Sequence, residues 1–251
     1  MIVLYFTATG NNLYVAKRIG GNLYSIPQAI KDENYTFSDD KIGFVFPIYG
    51  WAGPAYIENF LRKVKLESNY IFAVMSYGMI DGGAASHIQD IAKQSGITFS
   101  YINTIRMVDN YLPRFRMEEQ IKNEPKKQIE NHLDKIISDI NSSKKWIVKD
   151  SFIDKFMTGC SLKMGWFRGE GVSKLFTVQD TCNKCATCVR VCPMDNVQVQ
   201  GGKPEFGGNC ISCLACIQNC PQSAIRVKGE KSKARFRNQF VTLKEIIAAN
   251  E

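Results

Sequence analysis

The chain has 251 residues, 45 % hydrophobic and 22 % charged, with a formal net charge of +8 at pH 7. This is ordinary for a soluble globular protein with one large domain, or a medium and a small one. No apolar run reaches the length of a membrane span, and residues 1–6 carry neither a basic leader nor a small-residue cleavage site, so a cytoplasmic protein opening on a strand is expected. Residues 1–141 hold 15 Lys/Arg and 15 Asp/Glu, which leaves most of the excess on residues 142–178 and on the tail, 231–251. A surplus divided in this way gives little reason to expect nucleic acid. It suits an acidic redox partner equally well.

Strand and helix patterns alternate through the first 141 residues. Strands are predicted at residues 2–7, 22–26, 41–48, 70–77 and 97–108. The runs within 42–48 and 71–75 are nearly all apolar, as for strands covered on both faces. Helical stripes lie between and after them: Ile57, Phe60, Leu61 and Val64; Ile88, Ile91 and Ala92; then Ile129, Leu133, Ile136, Ile137 and Ile140. The pattern predicts an α/β fold with a doubly wound, five-stranded parallel sheet. Ligands of such sheets bind outside the carboxyl ends of the strands, so loops 7–12, 47–54 and 77–83 are expected to meet at one edge.

The first loop holds Thr7, Ala8, Thr9, Gly10, Asn11 and Asn12 before a helix. Short polar side chains and free N–H groups at a helix N-terminus make an anion cradle, although a plain capped turn looks the same. The motif is neither a Walker loop nor a GxGxxG fingerprint. The second loop offers Pro47, Tyr49, Gly50 and Trp51, and the third Tyr77, Gly78, Gly82 and Gly83: aromatics able to stack on a flat ring, and glycines that let backbone approach it. One such aromatic is easily surface packing; three loops together are less so.

Residues 142–178 form a connector in which Phe152, Ile153, Phe156, Met157 and Cys160 share one helical face. A short helix packed through that face is predicted. Trp166 and Phe167 belong either between domains or to the connector's own anchoring. The tail reads as a solvated basic terminus with one short helix.

Eight of the nine cysteines fall between 182 and 220. Such crowding argues for metal rather than disulfides. The run Cys182-x2-Cys185-x2-Cys188-x3-Cys192-Pro193 returns 28 residues later as Cys210-x2-Cys213-x2-Cys216-x3-Cys220-Pro221. Three thiolates at three-residue intervals suit one face of a cubane cluster, whereas zinc sites generally use cysteine pairs. Two zinc knuckles are the alternative.

Residues 179–230 closely resemble the bacterial two-cluster 4Fe-4S ferredoxins, a small α+β fold. The resemblance implies that Cys182, Cys185, Cys188 and Cys220 hold cluster one, and Cys210, Cys213, Cys216 and Cys192 cluster two. The first loop is similar to the T-x-T-G-N-T of flavodoxins, with Asn12 where that family usually has threonine. The later loops occupy the places of its two isoalloxazine loops, and a last strand without a long insertion makes it similar to the short-chain type. This implies FMN, with residues 7–12 on its phosphate and Tyr49, Trp51, Tyr77 and Gly78 near its ring. The whole chain looks like a flavodoxin–ferredoxin fusion of anaerobic microorganisms: domain 1–141, connector 142–178, ferredoxin domain 179–230 and tail 231–251. The expected function is electron transfer between flavin, two 4Fe-4S clusters and partner oxidoreductases. A flavin-dependent reductase acting on a small substrate is the alternative, and a zinc module on nucleic acid a third reading.

Overall fold

The computed structural model describes residues 1–165 and 172–251, so Trp166 and Phe167 lie outside the described residues. The chain runs β1 (Ile2–Tyr5), α1 (Asn11–Ile19), β2 (Asn22–Ser25), α2 (Ile26–Lys31), β3 (Thr36–Ser38), β4 (Lys41–Pro47), α3 (Ala55–Leu61) and β5 (Lys65–Glu67). Next come β6 (Tyr70–Tyr77), α4 (Ala84–Gln94), β7 (Tyr101–Arg106), α5 (Met117–Lys122), α6 (Ile129–Asn141), β8 (Trp146–Ile147) and α7 (Phe152–Lys163). The cysteine region adds β9 (Phe176–Val178), α8 (Thr187–Arg190), β10 (Val197–Gln200), β11 (Lys203–Phe206), α9 (Ala215–Gln218) and β12 (Ile225–Val227), and the tail ends in α10 (Leu243–Asn250).

The main sheet is parallel, in the order β2-β1-β4-β6-β7-β8. Its first five strands follow the flavodoxin-like winding, in which order reverses beside the first strand. That reversal falls between β1 and β4, whose carboxyl ends carry the first and second loops. Successive side chains of a strand take opposite faces, and both faces here are apolar. Ile2, Leu4, Ile42, Phe44, Ile71 and Ala73 enter one core with α3 and α4; Val3, Tyr5, Val45, Phe72 and Val74 enter the other with α1 and α6. Gly43 opens the second core to a ring, since a Cβ there would lie 2.0 Å from Phe72 Cζ.

Several expectations need correction. The sheet has a sixth strand, β8, drawn from the connector; two residues are too few to carry a periodic signal. The last of the five expected strands is shorter, Tyr101–Arg106, and upstream of it Ser100 N–H donates to Ile71 O at 2.7 Å. The connector helix forms, but its apolar residues face outward: Phe152 is 85 % and Phe156 65 % exposed, while Thr158 and Ser161 are buried.

The tail is docked rather than solvated. Phe240 stacks on Tyr14 at 4.9 Å, Lys17 pairs with Glu245 at 2.8 Å, and Lys31 Nζ donates to Asn250 O at 2.8 Å. Arg235 turns inward to Glu230 and to the carbonyl of Ile225. The tail helix and the ferredoxin helices extend the second core, so Leu214, Ile217, Phe236, Val241 and Ile246 share one apolar cluster with Val15, Leu112 and Leu133. Among the described residues no helix is long and apolar enough to cross a membrane.

Candidate functional site

The first loop closes on itself. Gly10, at φ 95°, precedes α1, and its N–H donates to Thr7 Oγ1 at 3.0 Å. Thr9 Oγ1 accepts from Asn110 Nδ2 at 2.6 Å, and Asn11 Nδ2 donates to Val108 O at 3.1 Å. Thr7, Thr9, Asn11 and Asn12 are all buried, and Asn12 Oδ1 has no partner among the described residues. An unpaired buried amide in a polar cradle calls for a ligand, and its orientation is free to present N–H₂ to an anion.

The second loop is a two-residue reversal. Tyr49 and Ala52 exchange both backbone hydrogen bonds, at 2.9 and 3.2 Å, around Gly50 and Trp51 at φ 58° and 67°. Positive φ at both central positions is the type I′ geometry, in which a tryptophan is a strained occupant. Helix α7 holds it there. Thr158 Oγ1 donates to Trp51 O at 2.8 Å and accepts from Gly83 N–H at 2.9 Å, and Ser161 Oγ donates to Gly50 O at 2.7 Å. The connector thus ties the second loop to the third. In the third loop Gly78 O accepts from Arg106 Nε at 3.1 Å and Lys127 Nζ at 3.2 Å. Any Cβ on Gly78 would strike Asp109 Oδ2 at 2.0 Å. Burial raises the Asp109 carboxyl, against the Tyr111 N–H and Lys127.

These loops surround a cavity of about 810 Å³, within the range of small-molecule and cofactor sites, roughly 300–1,000 Å³. Its wall includes Thr7, Ala8, Thr9, Asn11, Asn12, Pro47, Tyr49, Gly50, Trp51, Tyr77 and Gly78. Gly10, Gly82 and Gly83 stand outside the wall; Gly10 lies under the tail, and Gly82 and Gly83 pack on Trp51 and α7. Sequence reading did not single out Met107, Val108, Asp109 and Arg114, which extend the wall, nor did it place Ser212, Leu214 and the expected cluster ligand Cys213 there, where they close it from the second cysteine block. This FMN-sized cavity therefore abuts a cysteine loop of the same chain. The residues present fit FMN: a polar cradle at a helix N-terminus, aromatics beyond it, and sufficient volume.

The two cysteine blocks share one backbone plan. Lys184 and Ala186 in the first, and Ser212 and Leu214 in the second, have φ between 56° and 61°. Asp195 and Ser223, after the two Cys-Pro pairs, both have φ 48°. Alternation of right- and left-handed residues turns successive N–H groups toward one point, a nest for anions and iron–sulfur clusters. Asn196 N–H reaches Cys192 Sγ at 3.4 Å and Ala224 N–H reaches Cys220 Sγ at 3.3 Å, the same bond in each half.

Cys182, Cys185, Cys188 and Cys220 line one small cavity. Cys192, Cys210, Cys213 and Cys216 act on one another electrostatically. All nine cysteines are free. Burial pushes the thiols of Cys192, Cys210, Cys213 and Cys216 up, and that of Cys188 to about 11. At Cys185 burial is outweighed by the Thr187 hydroxyl and backbone N–H, which lower the thiol. No three His, Cys, Asp or Glu side chains converge on a point among the described residues; cubane thiolates go to separate irons and have no need to. Cys160 stands apart on α7, partly exposed.

A flavodoxin-like α/β domain joined to paired cysteine nests defines an electron-transfer class of protein. Residues 181–225 match the 4Fe-4S dicluster domain family. With the sheet winding, this match fits a flavodoxin–ferredoxin fusion, and the cysteine region is an iron–sulfur domain. Among solved structures the chain is similar to two-electron reduced flavodoxin from Megasphaera elsdenii, at 17 % identity and a TM-score of 0.31 over 41 % of this chain and 85 % of that one. It is also similar to the Trp repressor binding protein from Bacillus subtilis, at 15 % identity and 0.29 over 42 % and 84 %. A third is Smu.1420 from Streptococcus mutans UA159, at 13 % and 0.32 over 54 % and 97 %. No curated protein matches the chain.

Proposed function

We propose that the protein is an electron carrier with one FMN in the large cavity and two 4Fe-4S clusters, exchanging electrons internally and with partner oxidoreductases. The observation that carries this reading is the shared wall: Tyr49 and Trp51 of the second loop and Cys213 of the second cysteine block line the same cavity. Residues 7–12 hold the phosphate, and Tyr49, Trp51 and Tyr77 flank the ring. Bound FMN supplies exchange of one or two electrons, matched to clusters that each pass one. Cluster one takes Cys182, Cys185, Cys188 and Cys220, a set supported by the one cavity these four line. Cluster two takes Cys210, Cys213, Cys216 and Cys192. Cys185 is exposed whereas no ligand of cluster two is, and Cys213 lines the large cavity, so cluster one is the outer port and cluster two the link to the flavin.

The test is an anaerobic absorption spectrum with iron, sulfide and flavin analysis. About eight irons and eight sulfides with one FMN per chain are expected; zinc without iron, or clusters without flavin affinity, would overturn the reading. A second reading, a reductase of small molecules, is favoured by Asp109, a carboxyl raised by burial that stands in the cavity wall where a substrate would need a proton. Saturable reduction of a small acceptor that Asp109→Asn slows, with FMN still bound, distinguishes it.

A further inference from the structure

The three consecutive carbonyls of the first loop each accept a hydrogen bond from the C-terminal half of the chain. Asn250 Nδ2 donates to Thr7 O at 3.2 Å, Asn219 Nδ2 to Ala8 O at 2.9 Å, and Asn238 N–H to Thr9 O at 2.8 Å. Asn238 Nδ2 adds a contact to Asn11 Oδ1 at 3.3 Å. All three asparagines are buried. The tail also roofs Gly10, where a Cβ would sit 3.0 Å from the Cβ atoms of Asn238 and Val241.

An ordinary tail contact does not explain this placement. Burying amides is costly, and Oδ1 of both Asn219 and Asn250 has no partner among the described residues. What the cost secures is a fixed geometry for three successive peptide groups. A hydrogen bond accepted at a peptide carbonyl polarises the N–H of the same peptide, which belongs to the next residue. The bonds at Thr7 and Ala8 therefore act on the N–H groups of Ala8 and Thr9, which line the cavity, while the bond at Thr9 holds the peptide whose Gly10 N–H is already given to Thr7 Oγ1. Donors of this kind, at the start of a helix, are what a phosphate draws on.

We infer that Asn219, Asn238 and Asn250 are positioning residues of the phosphate site, clamping the first loop in its anion-binding conformation. The inference rests on the reading of the large cavity as an FMN site. It has a consequence for assembly. Asn219 directly precedes Cys220, so folding of the second cysteine block sets one arm of the clamp. Flavin binding and cluster assembly are then linked, each favouring the other by the same factor.

The test measures dissociation constants of FMN and of riboflavin, by flavin fluorescence, in the full-length cluster-loaded chain. Because the clamp acts on the phosphate cradle, Asn219→Ala and Asn250→Ala are expected to weaken FMN about 5- to 150-fold, the range for an orphaned buried hydrogen-bonding group. Riboflavin, which lacks the phosphate, is expected to be unaffected. Lys17→Ala, which breaks a tail contact remote from the loop carbonyls, is expected to change neither. Equal weakening of both flavins, or of neither, in the asparagine variants would overturn the clamp. A wild-type chain that binds neither flavin would instead overturn the cofactor reading, and the clamp with it. If Asn219→Ala fails to retain iron, Asn250→Ala decides, since its side-chain hydrogen bonds go to Thr7 O and Ile246 O.

Discussion

Tyr49 and Cys213 stand in one wall of the large cavity, although one belongs to the loop after β4 and the other to the second cysteine block. Burial lifts the Tyr49 phenol well above its ordinary range, and Cys213 and Cys210 lift it further. A neutral ring thus stands beside Cys213 in the wall that the cavity shares with the second cysteine block. Tyr49→Phe preserves that ring and should retain wild-type iron and FMN content. Tyr49→Ala removes it; truncating a fully buried aromatic costs about 3–5 kcal/mol, and less for this partly buried one. Iron and flavin per chain after gel filtration check the prediction, with both expected to fall in the alanine variant. Full retention of both would show that the ring supports neither site.

The exchange of cysteines between blocks has a sharp consequence. Cys192 lies in the first block, yet its electrostatic neighbours are Cys210, Cys213 and Cys216. Cys192→Ser should therefore damage the cluster on the second block and spare the one on Cys182, Cys185 and Cys188. Iron is expected to drop from about eight to about four per chain, with the remaining cluster giving the spectrum of an isolated, uncoupled centre. Loss of the cluster nearer in sequence would refute the crossed assignment.

Much of this was legible in the sequence because covalent spacing carried it. The 28-residue repeat of Cys-x2-Cys-x2-Cys-x3-Cys-Pro needs no tertiary information, and neither do the apolar runs that became β4 and β6. Polar residues that act by packing were silent. Thr158 and Ser161 lie on the side of α7 that an apolar pattern marks as solvent-facing, yet that is the side buried against the second loop. Asn219, Asn238 and Asn250 are spread over the ferredoxin domain and the tail, and only the fold brings them to one loop. Left-handed Lys184 and Leu214 were equally hidden, since neither residue type favours that conformation.

Helix α7 offers a paired test. Thr158 Oγ1 is the shared partner of Trp51 O and Gly83 N–H, so Thr158→Val leaves both without it. A loss of about 1–3 kcal/mol is expected for each buried group orphaned in this way, seen as a lower melting midpoint and weaker FMN binding. Phe152→Ser, on the outward face at 85 % exposure, should shift stability by no more than about 0.5 kcal/mol. A Phe152 variant that melts earlier than the Thr158 variant would reverse the assignment of the packed face.

Docking of the tail is expected to depend on pH through Glu245. Its carboxyl is lowered from 4.5 to about 2, first by the Lys17 ammonium and then by the N–H and hydroxyl of Thr242 in the capping box of α10. A carboxylate held below its ordinary value contributes fully above pH 4.5 and loses that contribution as pH falls through about 2. The side chains of Glu245 and Lys17 are about two-fifths exposed, so solvent screening limits the pair, and with the cap the total is about 1 kcal/mol. Glu245→Gln should therefore lower the melting midpoint slightly near neutral pH. The deficit should hold constant down to about pH 4.5 and shrink below it, as the wild-type carboxyl takes up its proton. Cluster loss in acid affects both chains alike, because thiolate ligands protonate in each, so the difference between them isolates the glutamate. A deficit that fails to shrink on acidification would mean that the fold does not hold this carboxyl below its ordinary value, and that the tail is held elsewhere.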